Sequence, residues 1–331
     1  MSQLPLKFDE SEVLLPTENL AFDHPEESQD SQISEKTSEI AIPILCIHCL
    51  GLAALIPYFW SWTNLGALVL TTLLFGQGIN LGYHRILTHK SLTVPKWLER
   101  FYVLLALCSL EESPGKWVST HRRHHKHSDL PEDPHSPTES FFWSHMGWLL
   151  KSRNGKQEFA HDDRYAADVM KDPVYRLLES NPLLPGLLYL LHAGAIFVVA
   201  LVVGFSMQNP EHYRFALGML FWAVLLRTVV VWHITWSVNS LAHRYGYQNY
   251  ETSEGSRNNW FVALLSSGEG WHNNHHHDQA SASNQHRWWE LDLTYLHIRM
   301  LEICGLAKNV VRPRHQRQTE IKFNTKSSDR S

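Results

Sequence analysis

Three short segments of this chain carry histidines at spacings that suit a metal site. They are 84–89 (HRILTH), 121–125 (HRRHH) and 272–276 (HNNHH), and they hold two, three and three of the chain's 22 histidines. Spacings of three and four residues place the histidines of the second segment, and likewise those of the third, on one face of a helix. Each of these segments could therefore offer several imidazoles to a common centre.

The residue type narrows the choice of metal. Neutral imidazole binds borderline transition metals, including iron, whereas magnesium and calcium prefer oxygen ligands. The histidines of the three segments are too many for one ion, so the pattern predicts two ions with open coordination positions. Zinc could occupy such a site, but it has no redox chemistry to offer.

Long apolar runs must position these histidines. Four of them occur, at about 41–59, 65–83, 183–205 and 215–237. Each is close to the roughly 20 residues that a helix needs to cross the hydrocarbon core. We therefore expect an all-α integral membrane protein with four transmembrane helices in two hairpins. The alternative, a large soluble protein with buried core helices, fits this run length less well.

The distribution of Lys and Arg predicts the orientation in the membrane. The turns at 61–64 and 208–210, inside the two hairpins, contain neither residue, while most basic residues lie in 84–182 and after position 238. The positive-inside rule places these basic regions and both termini in the cytoplasm. With four crossings, all three histidine segments emerge on that same side and can converge in a cytoplasmic helical cap.

The apolar runs also suggest domain boundaries. Residues 1–38 are expected to form a disordered acidic tail, residues 39–311 the membrane domain, and residues 312–331 a polar C-terminal tail. Two shorter apolar stretches, 97–110 and 141–150, have the length of interfacial or re-entrant helices. The net charge of -4 provides no strongly basic surface, so nucleic acid is not an expected partner.

Further motifs surround the histidines: DPH at 133–135, WSHMGW at 143–148, WSVNSLAH at 236–243, GEGW at 268–271 and WWELD at 288–292. In this order, from about Gly82 to Ala307, they resemble the membrane fatty acid desaturases of the acyl delta-9 (stearoyl) type. The likeness is strongest to the bacterial and cyanobacterial branch. The order of motifs is far more specific than any single HxxHH match.

The resemblance implies a diiron site. In that family nine histidines hold two iron ions (Fe2+), and an asparagine approaches one iron through water. Carried over residue by residue, the ligands are His84, His89, His121, His124, His125, His243, His272, His275 and His276, with Asn239 as the asparagine. His243 lies outside the dense segments, but it follows Asn239 by four residues, so one helical face presents both.

Other residues near the histidines have expected supporting roles. Asp129, Asp133, Glu269 and Asp292 could accept hydrogen bonds from the outer nitrogens of ligating imidazoles and so fix their orientation. His135 is a further candidate for such a contact. For the acyl channel we expect two aromatic side chains close to ligand-bearing positions, Trp117 and Trp236.

The activity implied is removal of two hydrogens from an unactivated chain, which requires dioxygen and a redox metal. We expect a cis double bond at C9–C10 of a saturated acyl chain carried by coenzyme A or by a lipid. The electrons must come from a separate protein, a ferredoxin or a cytochrome b5 with its reductase. The expected location is a bacterial plasma membrane, or the endoplasmic reticulum in a eukaryote.

Two alternatives stay open at this point. A fatty acyl hydroxylase or another oxidase of the same membrane diiron class would share the metal site, and the spacing of the histidines cannot distinguish it. A non-enzymatic metal transporter is the second alternative. Transporters usually place their ligands near the middle of the bilayer, whereas these histidines lie at or beyond the helix ends.

Overall fold

Helices make up the architecture, as the apolar runs predict. The computed structural model describes residues 35–37, 40–153 and 164–317, so most of the predicted tail 1–38 and the end of the predicted C-terminal tail lie outside the described residues. The helices, in chain order, are α1 Ala41–Leu55, α2 Trp62–Thr88, α3 Lys96–Leu107, α4 Pro114–His127, α5 (Trp143–Gly147 with Trp148–Leu150), α6 Pro173–Ser180, α7 Leu183–Ser206, α8 His212–His243, α9 Trp260–Leu265, α10 His272–His277 and α11 Leu293–Ile303.

Extended structure is minor. The described residues contain one two-stranded antiparallel ladder, β1 Glu35–Thr37 with β2 Lys151–Arg153. Short 3-10 turns at Pro57–Phe59 and Val169–Lys171 complete the regular elements. The predicted all-α architecture is therefore confirmed apart from this small ladder.

Among the described residues, three helices, α2, α7 and α8, are long and apolar enough to cross a membrane. The fourth predicted span differs, because α1 is a shorter apolar helix that ends at Leu55 and not near residue 59. Pro57 explains the early end, since a proline disfavours helical geometry in the preceding residue. Ile56 is accordingly extended, with ψ 125°.

The three long helices differ in how much protein surrounds them. In the most apolar stretch of α8, 56% of the residues are buried, against 17% in α7. The central helix α8 packs against α1, α2 and α7. The outer helix α7 leaves large side chains such as Leu187, Leu190 and Val199 exposed. Hydrocarbon chains of a bilayer would cover these side chains.

A buried arginine connects α8 to the end of α3. Arg227 is fully buried, and its guanidinium donates hydrogen bonds to the carbonyl oxygen of Cys108 (2.9 Å) and to Ser109 Oγ (3.1 Å). It also lies 4.0 Å from the centre of the Phe75 ring. Trp232 Nε1 donates to the carbonyl oxygen of Ser109 (2.8 Å). These bonds fix α8 against the segment that leads into α4.

The lower half of α2 is wound as a π-helix, Gly78–Thr88, and packs closely on α3. A Cβ atom on Gly78 would lie 2.7 Å from the carbonyl carbon of Leu105, and one on Gly82 would lie 2.8 Å from Tyr102 Cβ. Real Cβ atoms do not approach other atoms this closely, so both positions require glycine. The contact fixes the part of α2 that carries the first histidine segment.

We expect Gly78→Ala to destabilise the protein by about 1–3 kcal/mol, because α2 and α3 would have to separate. Gly76→Ala is the matched control, since a Cβ atom there would meet nothing within 4 Å. The thermal unfolding midpoint of each variant in detergent, followed by tryptophan fluorescence, measures the effect. Equal midpoints for the two variants would contradict the packing described here.

Candidate metal centre

Four elements bring nine histidines together. The first segment lies at the end of α2, the second on α4 and the third on α10, while His243 occupies a 3-10 turn that ends α8. The nine imidazoles form two groups in which the ligand nitrogens all lie within 4.8 Å of one another. The five-histidine group is His84, His89, His121, His125 and His275, and the four-histidine group is His124, His243, His272 and His276.

Helices α4 and α10 each contribute to both groups. On α4, His121 and His125 belong to the five-histidine group and His124 to the other. On α10 the division is reversed, with His275 in the five-histidine group and His272 and His276 in the other. The two groups are adjacent, because the ring centres of His125 and His276 are 4.5 Å apart. The arrangement suits two ions that lie close together.

The π-helical winding of α2 places His84 and His89 on one side. In an α-helix, residues five apart point about 140° away from each other. In a π-helix they are joined by an i→i+5 hydrogen bond and lie one above the other. The amide of His89 donates to the carbonyl oxygen of His84 at 3.0 Å, and the two ring centres are 4.7 Å apart.

The Nε2 contacts within each group are too many to be explained by hydrogen bonds alone. His275 Nε2 lies 3.1 Å from His84 Nε2 and 2.9 Å from His125 Nε2. The Nε2 atoms of His276 and His272 are 3.1 Å apart, and those of His272 and His243 are 3.0 Å apart. A neutral imidazole has one N–H to donate. In His84 and His124, Nδ1 faces a carboxylate, so the proton on that nitrogen cannot also join two Nε2 atoms.

Carboxylates occupy the opposite ring nitrogens. His84 Nδ1 lies 2.9 Å from Glu269 Oε2, and His124 Nδ1 lies 2.9 Å from Asp133 Oδ2. His243 Nδ1 lies 3.1 Å from Asp129 Oδ1. Asp133 accepts the Nδ1 proton of His124. A carboxylate beside Nδ1 favours the tautomer with its proton there, which leaves the Nε2 lone pair directed into the group. This is the arrangement of histidine ligands that carboxylates orient towards a metal.

The spacing of the lone pairs fits metal coordination. Two ligands about 2.1 Å from one ion, a usual metal–imidazole distance, and about 90° apart are themselves about 3.0 Å apart. The Nε2 contacts within the groups run from 2.9 to 3.3 Å. Lone pairs at such separations repel each other unless a cation lies between them. Both groups can therefore hold a metal ion.

The ionisation of the site agrees with this arrangement. Burial, reinforced by neighbouring imidazoles, lowers the pKa of His121, His275 and His276 well below the ordinary histidine value, so these rings are neutral and can act as ligands. Burial alone would raise the pKa of the Glu269 carboxyl, but Arg85 and His84 lower it to about 2. In the same way, His124 outweighs the effect of burial and holds the pKa of Asp133 well below its usual range.

The sequence profile of the fatty acid desaturase family matches residues 59–308. This chain belongs to the fatty acid desaturase family. It is 42% identical to the sn-1 stearoyl-lipid 9-desaturase of Anabaena variabilis over 271 residues, which are 80% of this chain and 90% of the relative.

Other relatives differ in acyl carrier and in the position of the double bond. The sn-2 palmitoyl-lipid 9-desaturase of Nostoc sp. (strain 36) is 40% identical over 266 residues, covering 79% of this chain and 86% of the relative. An acyl-CoA 5-desaturase of Anemone leveillei is 38% identical over 279 residues, covering 84% and 80%. The family resemblance predicted from the motifs is therefore confirmed, and the chain is an acyl desaturase, an oxidoreductase.

The residues expected to support the desaturase site lie at varied distances from it. Asp129, Asp133 and Glu269 each contact an imidazole of the two groups. The His135 ring centre lies 4.4 Å from that of His124, and burial, with His124, lowers the pKa of His135 to about 3. Asp292 contacts no imidazole of the groups. It accepts from Arg85, the partner of Glu269, and caps α11 through the amide of Tyr295.

The two predicted channel aromatics also differ in position. The Trp117 ring stacks on His121 with ring centres 4.9 Å apart and contacts the His84 ring at 6.3 Å. Trp236 is buried and stacks on Trp232 at 5.6 Å, away from the nine imidazoles. Asn239 is half-buried on the last turn of the α-helical part of α8, one turn before His243.

Sequence reasoning missed one carboxylate at the site. Glu254 Oε1 lies 3.5 Å from His276 Nδ1, and Glu254 Oε2 lies 3.8 Å from His243 Nδ1. The residue is in the loop between α8 and α9, far from the dense histidine segments in the sequence. An acidic side chain in a polar loop has no periodicity that could have revealed this contact.

We expect Asp133→Asn to lower metal affinity roughly 10- to 100-fold, because the amide cannot orient His124 as the carboxylate does. Glu132→Gln is the control, since Glu132 is the exposed neighbour of Asp133. Metal retained after dialysis against a chelator, measured by elemental analysis, reports the difference. Equal retention by the two variants would show that the carboxylate does not support a ligand.

Proposed function

We propose that this protein is a membrane acyl-lipid desaturase that inserts a cis double bond at C9–C10 of a saturated acyl chain. The observation that carries the proposal is the convergence of nine imidazoles, five of them buried and four partly buried, in a five-histidine and a four-histidine group. The position of the double bond and the lipid carrier are supported by the names of the cyanobacterial relatives. An acyl-CoA substrate is the alternative that the plant relative represents.

The two groups would each hold one iron ion through their Nε2 atoms. Asn239 would approach the ion of the four-histidine group through water, since that group provides one imidazole fewer and Asn239 precedes His243 by one turn. Iron suits an all-imidazole site and supplies the redox chemistry that zinc lacks. When bound, the irons would supply dioxygen activation, which no side chain can provide.

The stoichiometry of the reaction shows which co-substrates the enzyme needs. One –CH2–CH2– unit, one dioxygen, two electrons and two protons give one –CH=CH– unit and two waters. The electrons would come from a separate ferredoxin, or from a cytochrome b5 with its reductase. The protein's own residues hold the imidazoles in place through Asp133, Asp129 and Glu269.

Trp117 and Trp236 would line the channel for the acyl chain. The channel role of Trp117 is supported by its stacking on His121, which places the indole beside the five-histidine group. Trp236 is on α8, one turn before Ser240. Its channel role is supported by its burial next to α1 and α5. An unchanged product profile in a Trp117→Leu variant that retains its metal would remove that residue from the channel.

The membrane domain would comprise residues 39–311, with α1 as a fourth crossing beside α2, α7 and α8. Its short apolar helix and the hydrophobic turn that follows it support this role. Both termini and the metal centre would face the cytoplasm, in a bacterial plasma membrane or in the endoplasmic reticulum of a eukaryote. Epitope tags at the two ends test the topology, because one accessible and one protected terminus would exclude an even number of crossings.

Fatty acid profiling tests the activity. In a desaturase-deficient host supplied with ferredoxin and its reductase, we expect the wild type to produce cis-9 monoenes. His124→Ala should abolish them, because one imidazole of the four-histidine group is lost. His127→Ala is the control, as His127 contacts the Tyr165 hydroxyl and none of the nine imidazoles.

Several outcomes would contradict the proposal. Hydroxylated acids in place of monoenes would indicate a hydroxylase. A double bond at another position would overturn the assignment to C9–C10. Monoenes that persist in His124→Ala would show that the four-histidine group is not needed for the chemistry.

A further inference from the structure

The outer nitrogens of the two histidine groups lie in different electrostatic surroundings. In the four-histidine group, three carboxylates contact three imidazoles: Asp133 with His124 at 2.9 Å, Asp129 with His243 at 3.1 Å, and Glu254 with His276 at 3.5 Å. In the described part of the chain, no Lys or Arg side chain lies within 4.0 Å of these three carboxylates. Their negative charges therefore act on the four-histidine group without a neighbouring cation.

The five-histidine group has a more balanced environment. One carboxylate, Glu269, contacts His84 Nδ1 at 2.9 Å, and its other oxygen lies 2.7 Å from the Arg85 guanidinium. Arg85 is buried, so its charge is not screened by bulk water. The Nδ1 atoms of His125 and His275 are buried and have no hydrogen-bond partner in the described residues; His243 Nδ1 of the other group also lacks one, but it lies 3.1 Å from the Asp129 carboxylate. The same guanidinium also pairs with the buried Asp292 at 3.1 Å. Two carboxylates and one guanidinium therefore lie on this side, against three carboxylates beside the four-histidine group.

Glu254 is held in place by its own loop. The Ser256 amide donates to Glu254 Oε2 at 2.6 Å, and the Ser256 hydroxyl donates to Oε1 at 2.7 Å. Between these residues, the amide of Gly255 donates to Asp129 Oδ2. A short loop segment thus fixes two of the three carboxylates, and both face imidazoles of the same group.

We infer that Glu254 is a positioning residue for His276 and His243, and that with Asp129 and Asp133 it makes the four-histidine position the preferred site of the more highly charged iron. Negative charge close to an ion, in an environment of low dielectric constant, stabilises the ion's higher oxidation state. When the protein holds one ferric and one ferrous ion, the ferric ion occupies the four-histidine group. This inference rests on the two-iron site of the proposed function.

The test is a reductive titration of the purified full-length protein loaded with 57Fe, using dithionite as the electron source under anaerobic conditions. Mössbauer spectra count the ferric and ferrous ions and separate their environments. For the wild type we expect two one-electron steps at different potentials. In Glu254→Gln, we expect the step at lower potential to shift upward, by roughly tenfold in its equilibrium constant, while the other step is unchanged.

Two further variants interpret the result. Glu251→Gln removes a carboxylate from the same loop, where Glu251 is exposed, and should shift neither step. Glu254→Asp keeps the charge but shortens the side chain, so it should shift the same step by less than Glu254→Gln does. If Glu254→Gln does not retain two irons, the Glu254→Asp comparison with Glu251→Gln decides the question.

The outcomes separate this inference from the proposed function. A wild-type protein that binds fewer than two irons contradicts the diiron function itself. A protein with two irons in which the Glu254 variants shift no more than Glu251→Gln overturns the inference and leaves the function standing. A shift of both steps by the same amount also overturns it, because the carboxylate would then act on the whole centre.

Discussion

The repulsion between converging imidazole lone pairs is the constraint on which the rest of this structure depends. Nine imidazoles converge in two adjacent groups, with neighbouring Nε2 atoms 2.9–3.3 Å apart. Carboxylates beside the opposite nitrogens of several rings favour the tautomer with its proton on Nδ1, which directs the Nε2 lone pair into the group. Only cations between the lone pairs make such a cluster favourable, so the folded protein and its metal content are linked.

The surrounding fold can be understood as the means of holding that cluster together. The π-helical winding of α2 puts two histidines on one side, and its contact with α3 depends on Gly78. Arg227 fixes the central helix α8 to the segment before α4, although a charged group is expensive inside a membrane. Its backbone and hydroxyl acceptors offset that cost. The nine histidines therefore come from helices and one 3-10 turn whose positions are set by the apolar core.

Much of this could be predicted from the sequence, because histidine spacing and apolar run length follow simple helical geometry. Three features could not. Spacings of three and four put His121, His124 and His125 on one face, but a face does not reveal that His124 serves a different group. Alpha-helical periodicity would separate His84 from His89, since the π winding depends on tertiary packing. The contact of Glu254 with His276 arises from loop folding, which no residue pattern records.

The most direct test of the central claim is iron-edge anomalous diffraction from crystals of the purified protein. The account predicts two anomalous peaks in each chain. One should lie among the Nε2 atoms of the five-histidine group and the other among those of the four-histidine group. A single peak, or a peak beside Asp133 and His135 in place of one of these, would contradict it.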